Sequence, residues 1–172
     1  DLTYVVTEIT SASQVKGYLA HLDGMLQAMN VGEHLPMYEQ IQDAVAALHK
    51  LPSEYFAENC YIAGPTHDLR TAYDLGVPNL MWGADVPHSE GTHPYSVEAV
   101  RLMLSDLPSG EIDQLLARRA TELYHFDPVA LQAVADRIGP TVDQLTTPLA
   151  VDEWPTYPIE TRCTIFAARP AA

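Results

Sequence analysis

Three short apolar runs predict the strands of a sheet. Residues 2–7 are β-branched and aromatic and end at Glu8, whereas residues 60–63 are closed by a Gly-Pro pair. Residues 80–82 stop at Gly83. Runs of this length that are bounded by turn residues are typical of buried strands.

Between and after these runs, apolar residues recur at steps of three and four, which predicts helices. The longest such stripe follows the first strand and consists of Val15, Tyr18, Leu19, Leu22, Met25, Leu26 and Met29. Further helices are predicted over residues 41–48, 68–75 and 96–104, from Ser109 onward, and from Asp127-Pro128 to Gly139-Pro140. Pro52 and Ser53 introduce a short segment through Phe56. Alternating strands and helices indicate an α/β protein with a mostly parallel sheet, either doubly wound or part of a barrel.

The chain divides by composition near residue 140. Residues 1–140 carry the strand and helix pattern, and residues 141–172 alternate prolines with short apolar pieces. We therefore predict one α/β domain followed by an extended tail that wraps over its surface or a partner. Three parallel strands leave two open edges, which soluble proteins normally cover, so we expect the sheet to be completed by something else.

The third predicted strand is followed by the residues best suited to catalysis or metal binding. Asp85 comes almost directly after it, and His88, Glu90 and His93 follow in a loop rich in Gly and Pro. Parallel α/β folds place their chemistry at the carboxyl ends of strands, so this loop is a candidate site. The alternative is that Asp85 caps a turn and both histidines are exposed loop residues.

The same loop carries a family resemblance. The run Trp82-Gly83-Ala84-Asp85-Val86-Pro87-His88-Ser89-Glu90-Gly91-Thr92, with Pro94 and Ser96 after it, resembles the last barrel strand and loop of the amidohydrolase superfamily. The branch it resembles most includes aminocarboxymuconate-semialdehyde decarboxylase and actinobacterial amidohydrolase-related proteins. Flanking segments agree, among them Pro52-Ser53-Glu54-Tyr55-Phe56 and Leu123-Tyr124-His125-Phe126-Asp127.

The resemblance implies the C-terminal part of a (β/α)8 barrel, with its sixth, seventh and eighth strands and their covering helices. A complete barrel takes about 250 residues, and the family's first-strand His-x-His pair and fifth-strand histidine have no counterpart in this sequence. We therefore expect an N-terminal half-barrel chain or segment to supply the remaining strands and metal ligands. The first residue is Asp1 and not Met, from which we also expect a processed product or a part of something longer.

In family terms, Asp85 is the aspartate that binds the catalytic metal and handles the proton of the metal-bound water. Glu8, where decarboxylase members carry a histidine, is predicted as a general base or second metal ligand, with a capping or salt-bridged acid as the alternative. His88 is expected to orient Asp85 or touch substrate. His93 stands where the family has an aromatic residue, and is a substrate contact, an extra metal ligand or an exposed loop residue. The implied cofactor is a divalent metal, zinc first, with iron or manganese as alternatives.

The predicted function is accordingly metal-dependent hydrolysis or decarboxylation of a small organic acid, ester or amide. A non-haem iron oxygenase on the same barrel, with one or two irons, and a non-catalytic barrel subunit stay open as alternatives. The formal net charge of -14 argues against a nucleic-acid partner. No apolar run approaches the length of a membrane span, and two isolated cysteines favour the reducing cytoplasm. We also expect an oligomer.

Overall fold

The chain forms an α/β structure around a three-stranded parallel sheet. In the computed structural model, residues 2–7, 11–30, 41–64 and 66–168 are described. The strands are β1 (Tyr4–Val6), β2 (Cys60–Gly64) and β3 (Leu80–Trp82), in the order β1-β2-β3. All three predicted strands are confirmed; each is a short apolar run that ends at polar or turn-forming residues.

The pairing of the strands fixes which side chains share a face. Tyr4 lies beside Cys60, and Ile62 lies beside both Val6 and Leu80. Since all three strands run in the same direction, their carboxyl ends meet at one end of the sheet. The loop that follows β3 begins there.

Helices connect and cover the strands. Their bounds are α1 (Val15–Asn30), α2 (Gln42–Ala46), α3 (Pro52–Asn59), α4 (Leu69–Asp74), α5 (Ser96–Leu104), α6 (Ser109–Asp113), α7 (Arg119–Leu123), α8 (Pro128–Ile138) and α9 (Val142–Thr146). A π-helical segment, Gln114–Arg118, joins α6 to α7. Helix α8 begins as its sequence predicts, because the side chain of Asp127 accepts hydrogen bonds from the backbone N–H groups of Val129 and Ala130.

One face of the sheet carries the main core. Ile62 and Leu80 are each 1% exposed and pack with residues from α1, α4, α5 and α6. On the opposite face Val5, Tyr61 and Ala63 are only partly buried, and Met81, which lies beside Ala63, is the one strand residue there that is 2% exposed. Parallel sheets are normally covered on both faces, so this sheet is open within the part of the chain that the structure describes, and no barrel is formed there.

Two sequence expectations fail in detail. Tyr18 lies on the predicted apolar stripe of α1 but is 65% exposed, whereas Val15 and Leu19 are buried. Serine is a favoured capping residue, so Ser96 is predicted to cap α5. The N-cap is instead Tyr95, and the Ser96 hydroxyl shares a hydrogen bond with Thr92 at 2.8 Å. In both cases a tertiary contact or its absence decides what the local pattern cannot.

The segment after residue 140 packs against the domain. Arg101 in α5 donates hydrogen bonds to the backbone oxygens of Thr147 and Pro148, and Phe166 is fully buried beside Ala99. A 3-10 helix covers Thr164–Ala168. The tail therefore includes short helical pieces, where little regular structure was expected, and contributes a second small core.

The helices of the described ranges are each too short or too polar to cross a membrane.

Candidate functional site

The loop after β3 holds its aspartate in an unusual backbone conformation. Asp85 has a φ of 56°, in the left-handed region that most residues other than glycine avoid. Aspartate tolerates this region better than most side chains, and such residues are concentrated at functional sites. The backbone therefore turns sharply at Asp85, the residue that is predicted from the sequence as the metal ligand.

Backbone hydrogen bonds stabilise that turn. The N–H of His88 donates to the carbonyl of Asp85 at 2.9 Å, and the N–H of Thr92 donates to the carbonyl of Ala84 at 3.0 Å. Thr92 is fully buried, and its hydroxyl is bonded to Ser96 at the start of α5. The loop is thus attached at its far end to the helix that follows it.

Gly91 is required by the close packing inside the loop. A Cβ at this position would lie 2.6 Å from the carbonyl oxygen of Asp85 and 2.7 Å from that of Ala84. Both atoms belong to the backbone, so neither can swing away as a flexible side chain could. Glycine at position 91 therefore allows the loop to close over the residue that carries the candidate carboxylate.

The side chains of Asp85, His88 and Glu90 converge at the surface of the loop. One ligand atom from each lies within 4.8 Å of the others. Nδ1 of His88 is 3.0 Å from Oδ1 of Asp85, and the two side chains are 53% and 27% exposed. Two ligands that each lie about 2.0–2.2 Å from one ion are separated by about 3–4 Å, so the 3.0 Å spacing suits a shared metal as well as a direct hydrogen bond between the two side chains.

The pKa of Glu90 is lowered by its surroundings. Its own backbone N–H is the largest cause, and the Ser89 hydroxyl, which donates to it at 3.1 Å, and the nearby His88 add to the effect. A carboxylate that stays ionised is the form in which a metal ligand is needed. Glu90 can therefore serve as a third donor at neutral pH.

Three of the sequence-predicted site residues lie within the described ranges, and two of them come together. Asp85 and His88 are in contact, whereas His93 is exposed and lies outside the group that they form with Glu90. Glu8 lies outside the described residues, so its role stays a prediction. Glu90 was not predicted as a ligand, although its position two residues after His88 in the same tight loop was a usable signal.

Comparisons with known proteins add no identification. No family model, no curated protein and no solved structure matches this chain.

Proposed function

We propose that this chain supplies one wall of the active site of a metal-dependent, amidohydrolase-like enzyme. The single observation that carries the proposal is the convergence of Asp85, His88 and Glu90 at the carboxyl end of β3. Oxygen and imidazole nitrogen donors suit zinc, and also iron or manganese. The expected substrate is a small organic acid, ester or amide, hydrolysed or decarboxylated in the cytoplasm.

The roles of the residues follow from their positions. Asp85 would hold the metal, since it is the least exposed of the three and the loop backbone fixes its direction. His88 is close enough either to bind the same ion or to orient the Asp85 carboxylate by a hydrogen bond. A divalent metal bound there would supply water of lowered pKa for attack on a carbonyl group. Glu8 would add a base or a second ligand from the chain after β1.

The state of the sheet supports a partner that completes the site. Among the described residues no strand pairs with the outer edge of β1, where Leu2 is 64% and Tyr4 is 56% exposed. An apolar groove of about 540 Å³ runs beside this edge, between β1 and helices α1 and α3. Unpaired strand groups beside an apolar groove fit a further strand followed by its helix. We propose that an N-terminal half-barrel chain or segment binds there and closes a (β/α)8 barrel.

The test measures metal content together with activity. The protein, purified with whatever polypeptide accompanies it, is analysed for zinc, iron and manganese by plasma mass spectrometry, and its polypeptides are weighed by native mass spectrometry. We expect about one equivalent of metal and a second half-barrel polypeptide or segment. We also expect Asp85→Asn to lose the metal. Removal of a residue that only supports a metal ligand weakens metal binding by about 10- to 100-fold, and removal of the ligand itself should weaken it more.

The control is Asp152→Asn, which removes an exposed carboxylate far from the loop in sequence and should leave the metal content unchanged. Unchanged metal stoichiometry and unchanged activity in Asp85→Asn would contradict the proposal and favour a non-catalytic barrel subunit. Iron without zinc, together with consumption of dioxygen, would favour the oxygenase. For Glu8→Gln, lost metal indicates ligation, and retained metal with lost turnover indicates proton transfer.

A further inference from the structure

Thr92, in the loop after β3, is a polar residue that the fold buries completely. Its exposed fraction is 0%, and among the described residues the other buried polar side chain is that of Thr161, at 7%. Burial of a hydroxyl costs free energy unless the group forms hydrogen bonds. Oγ1 of Thr92 lies 2.8 Å from Oγ of Ser96 and 3.4 Å from the carbonyl oxygen of Ala84. The hydroxyl is therefore held between the first residue of α5 and the residue that precedes Asp85.

The contacts of Thr92 converge on the peptide group that joins Ala84 to Asp85. The carbonyl oxygen of Ala84 accepts a hydrogen bond from the N–H of Thr92 at 3.0 Å, in addition to the longer one from the hydroxyl. Because a peptide group is planar, the orientation of this carbonyl relative to the rest of Asp85 defines the φ angle of Asp85. That angle is 56°, a conformation that a residue other than glycine keeps only when its surroundings impose it.

The peptide group on the other side of Asp85 is held as well. Its carbonyl oxygen accepts a hydrogen bond from the N–H of His88 at 2.9 Å. Both peptide groups that flank Asp85 are thus fixed, which fixes the direction in which the side chain leaves the backbone. In that direction Oδ1 of Asp85 lies 3.0 Å from Nδ1 of His88.

Ser96 connects this arrangement to the core. It is the first residue of α5, a helix whose buried residues are Ala99, Val100, Met103 and Leu104. The loop is therefore bonded through Thr92 to a helix that is packed in the core, and not only to itself. Removal of one partner of a buried hydrogen bond leaves the other unsatisfied, so the pair of hydroxyls resists rearrangement.

We propose that Thr92 is the positioning residue for the Asp85 carboxylate, and that its hydroxyl holds Asp85 in the conformation in which it faces His88. Thr92 is not itself a ligand, since it is fully buried whereas the side chains of Asp85, His88 and Glu90 meet at the surface. Its effect on metal affinity rests on the proposed function, and its effect on the contact between Asp85 and His88 does not. Residues that orient a metal ligand without touching the metal change its affinity by about 10- to 100-fold.

Two substitutions separate the hydroxyl of Thr92 from its shape. Thr92→Val keeps the branched shape and the backbone N–H but removes the hydroxyl, whereas Thr92→Ser keeps the hydroxyl and removes a methyl group. If Thr92 only filled space, the serine variant would be the more damaged; positioning by the hydroxyl predicts the reverse. The matched control is Thr161→Val, which removes the other buried hydroxyl, an acceptor for the N–H of Cys163 in the tail.

The full chain, with any polypeptide that accompanies it, is titrated with cobalt(II), whose visible absorption reports the geometry of its ligands. We expect Thr92→Val to bind cobalt about 10- to 100-fold more weakly, and Thr92→Ser and Thr161→Val to bind it as the unaltered protein does. In the metal-free protein at one fixed pH, the ring nitrogen resonances of His88 should move in the NMR spectrum of Thr92→Val and stay in place in Thr161→Val.

Thermal unfolding establishes that each variant is folded, and Ser96→Ala, which removes only the partner hydroxyl, takes the place of Thr92→Val if that variant is not. Unchanged His88 resonances in the folded variant overturn the inference, as does a Thr92→Ser variant that is affected as strongly as Thr92→Val. Absence of cobalt binding by the unaltered protein contradicts the proposed function instead, and the metal-free spectra then decide the role of Thr92 on their own.

Discussion

The two outer edges of the sheet differ in how far this chain covers them. On the β3 side, Leu80 is 1% exposed, and Nη1 of Arg119 donates a hydrogen bond to its carbonyl oxygen at 2.7 Å. On the β1 side, Leu2 and Tyr4 are more than half exposed. The elements after β3 therefore stabilise its outer edge from within the chain, whereas the described residues leave the outer edge of β1 unpaired. The candidate metal group lies on the stabilised side.

The largest expected effect is on the free energy of unfolding, and it is found by comparing a leucine on the β3 side with a leucine on the β1 side. Leu80→Ala removes a buried side chain from the main core and should lower the free energy of unfolding by about 2–5 kcal/mol. Leu2→Ala removes a side chain that is 64% exposed and should change it little when no partner is bound. Urea unfolding followed by circular dichroism measures both. A comparable loss in the two variants would show that the β1 edge is covered by the chain itself.

The second comparison uses a glycine from each side. Gly91→Ala forces a Cβ against the carbonyl oxygens of Ala84 and Asp85, and should destabilise the protein by about 1–3 kcal/mol, as overpacking does. Gly24→Ala in α1 meets nothing within 4 Å and should stabilise it by about 0.5–1 kcal/mol, because alanine restricts the unfolded chain.

Thermal unfolding gives the sign of each glycine effect. The amide and imidazole resonances of Asp85 and His88 should move in the NMR spectrum of Gly91→Ala and stay unchanged in Gly24→Ala. If Gly91→Ala leaves both the stability and these resonances as they were, the loop does not depend on the close approach at Gly91, and the rigidity argued for the β3 side is wrong.

The local sequence predicts where the strands lie but does not predict what covers the sheet that they form. The strands could be predicted because each is a compact apolar run between Gly, Pro or polar residues. The location of Asp85 at the carboxyl end of the sheet could also be predicted, because Asp85 comes shortly after the third run. The sequence suggests completion of a barrel only through the family resemblance, and completion stays a proposal, since the described residues form an open sheet.

What the sequence did not indicate depends on contacts between distant residues. Arg119 donates a hydrogen bond to the backbone carbonyl of Leu80, which lies 39 positions away in the sequence. Tyr18 fits the periodicity of α1 but is 65% exposed. Phe166 is fully buried although it lies in a proline-rich tail. The periodicity of the sequence does not show which of these residues contacts a residue that is distant along the chain.

The smallest expected effect concerns the attachment of the tail on the β3 side. Arg101 in α5 donates to both carboxylate oxygens of Glu153 at 2.7 Å. This contact, assisted by the N–H of Ala150, lowers the pKa of Glu153 from an ordinary value of 4.5 to about 2. A carboxylate whose pKa is lowered by folding stabilises the folded state above pH 4.5, and its contribution is lost as the pH falls toward 2.

Glu153→Gln should therefore be slightly less stable than the unaltered protein at pH 7, and the difference should vanish as the pH approaches 2. The effect is small because exposed ion pairs are screened by water and salt. Asp152→Asn is the control, since it removes the neighbouring charge and leaves the Arg101–Glu153 pair in place. Melting temperatures measured from pH 7 to pH 2 test this. A difference that persists unchanged at low pH would mean that Glu153 stabilises the tail by packing and not by its charge, and that the tail is held on the β3 side chiefly by buried residues such as Phe166.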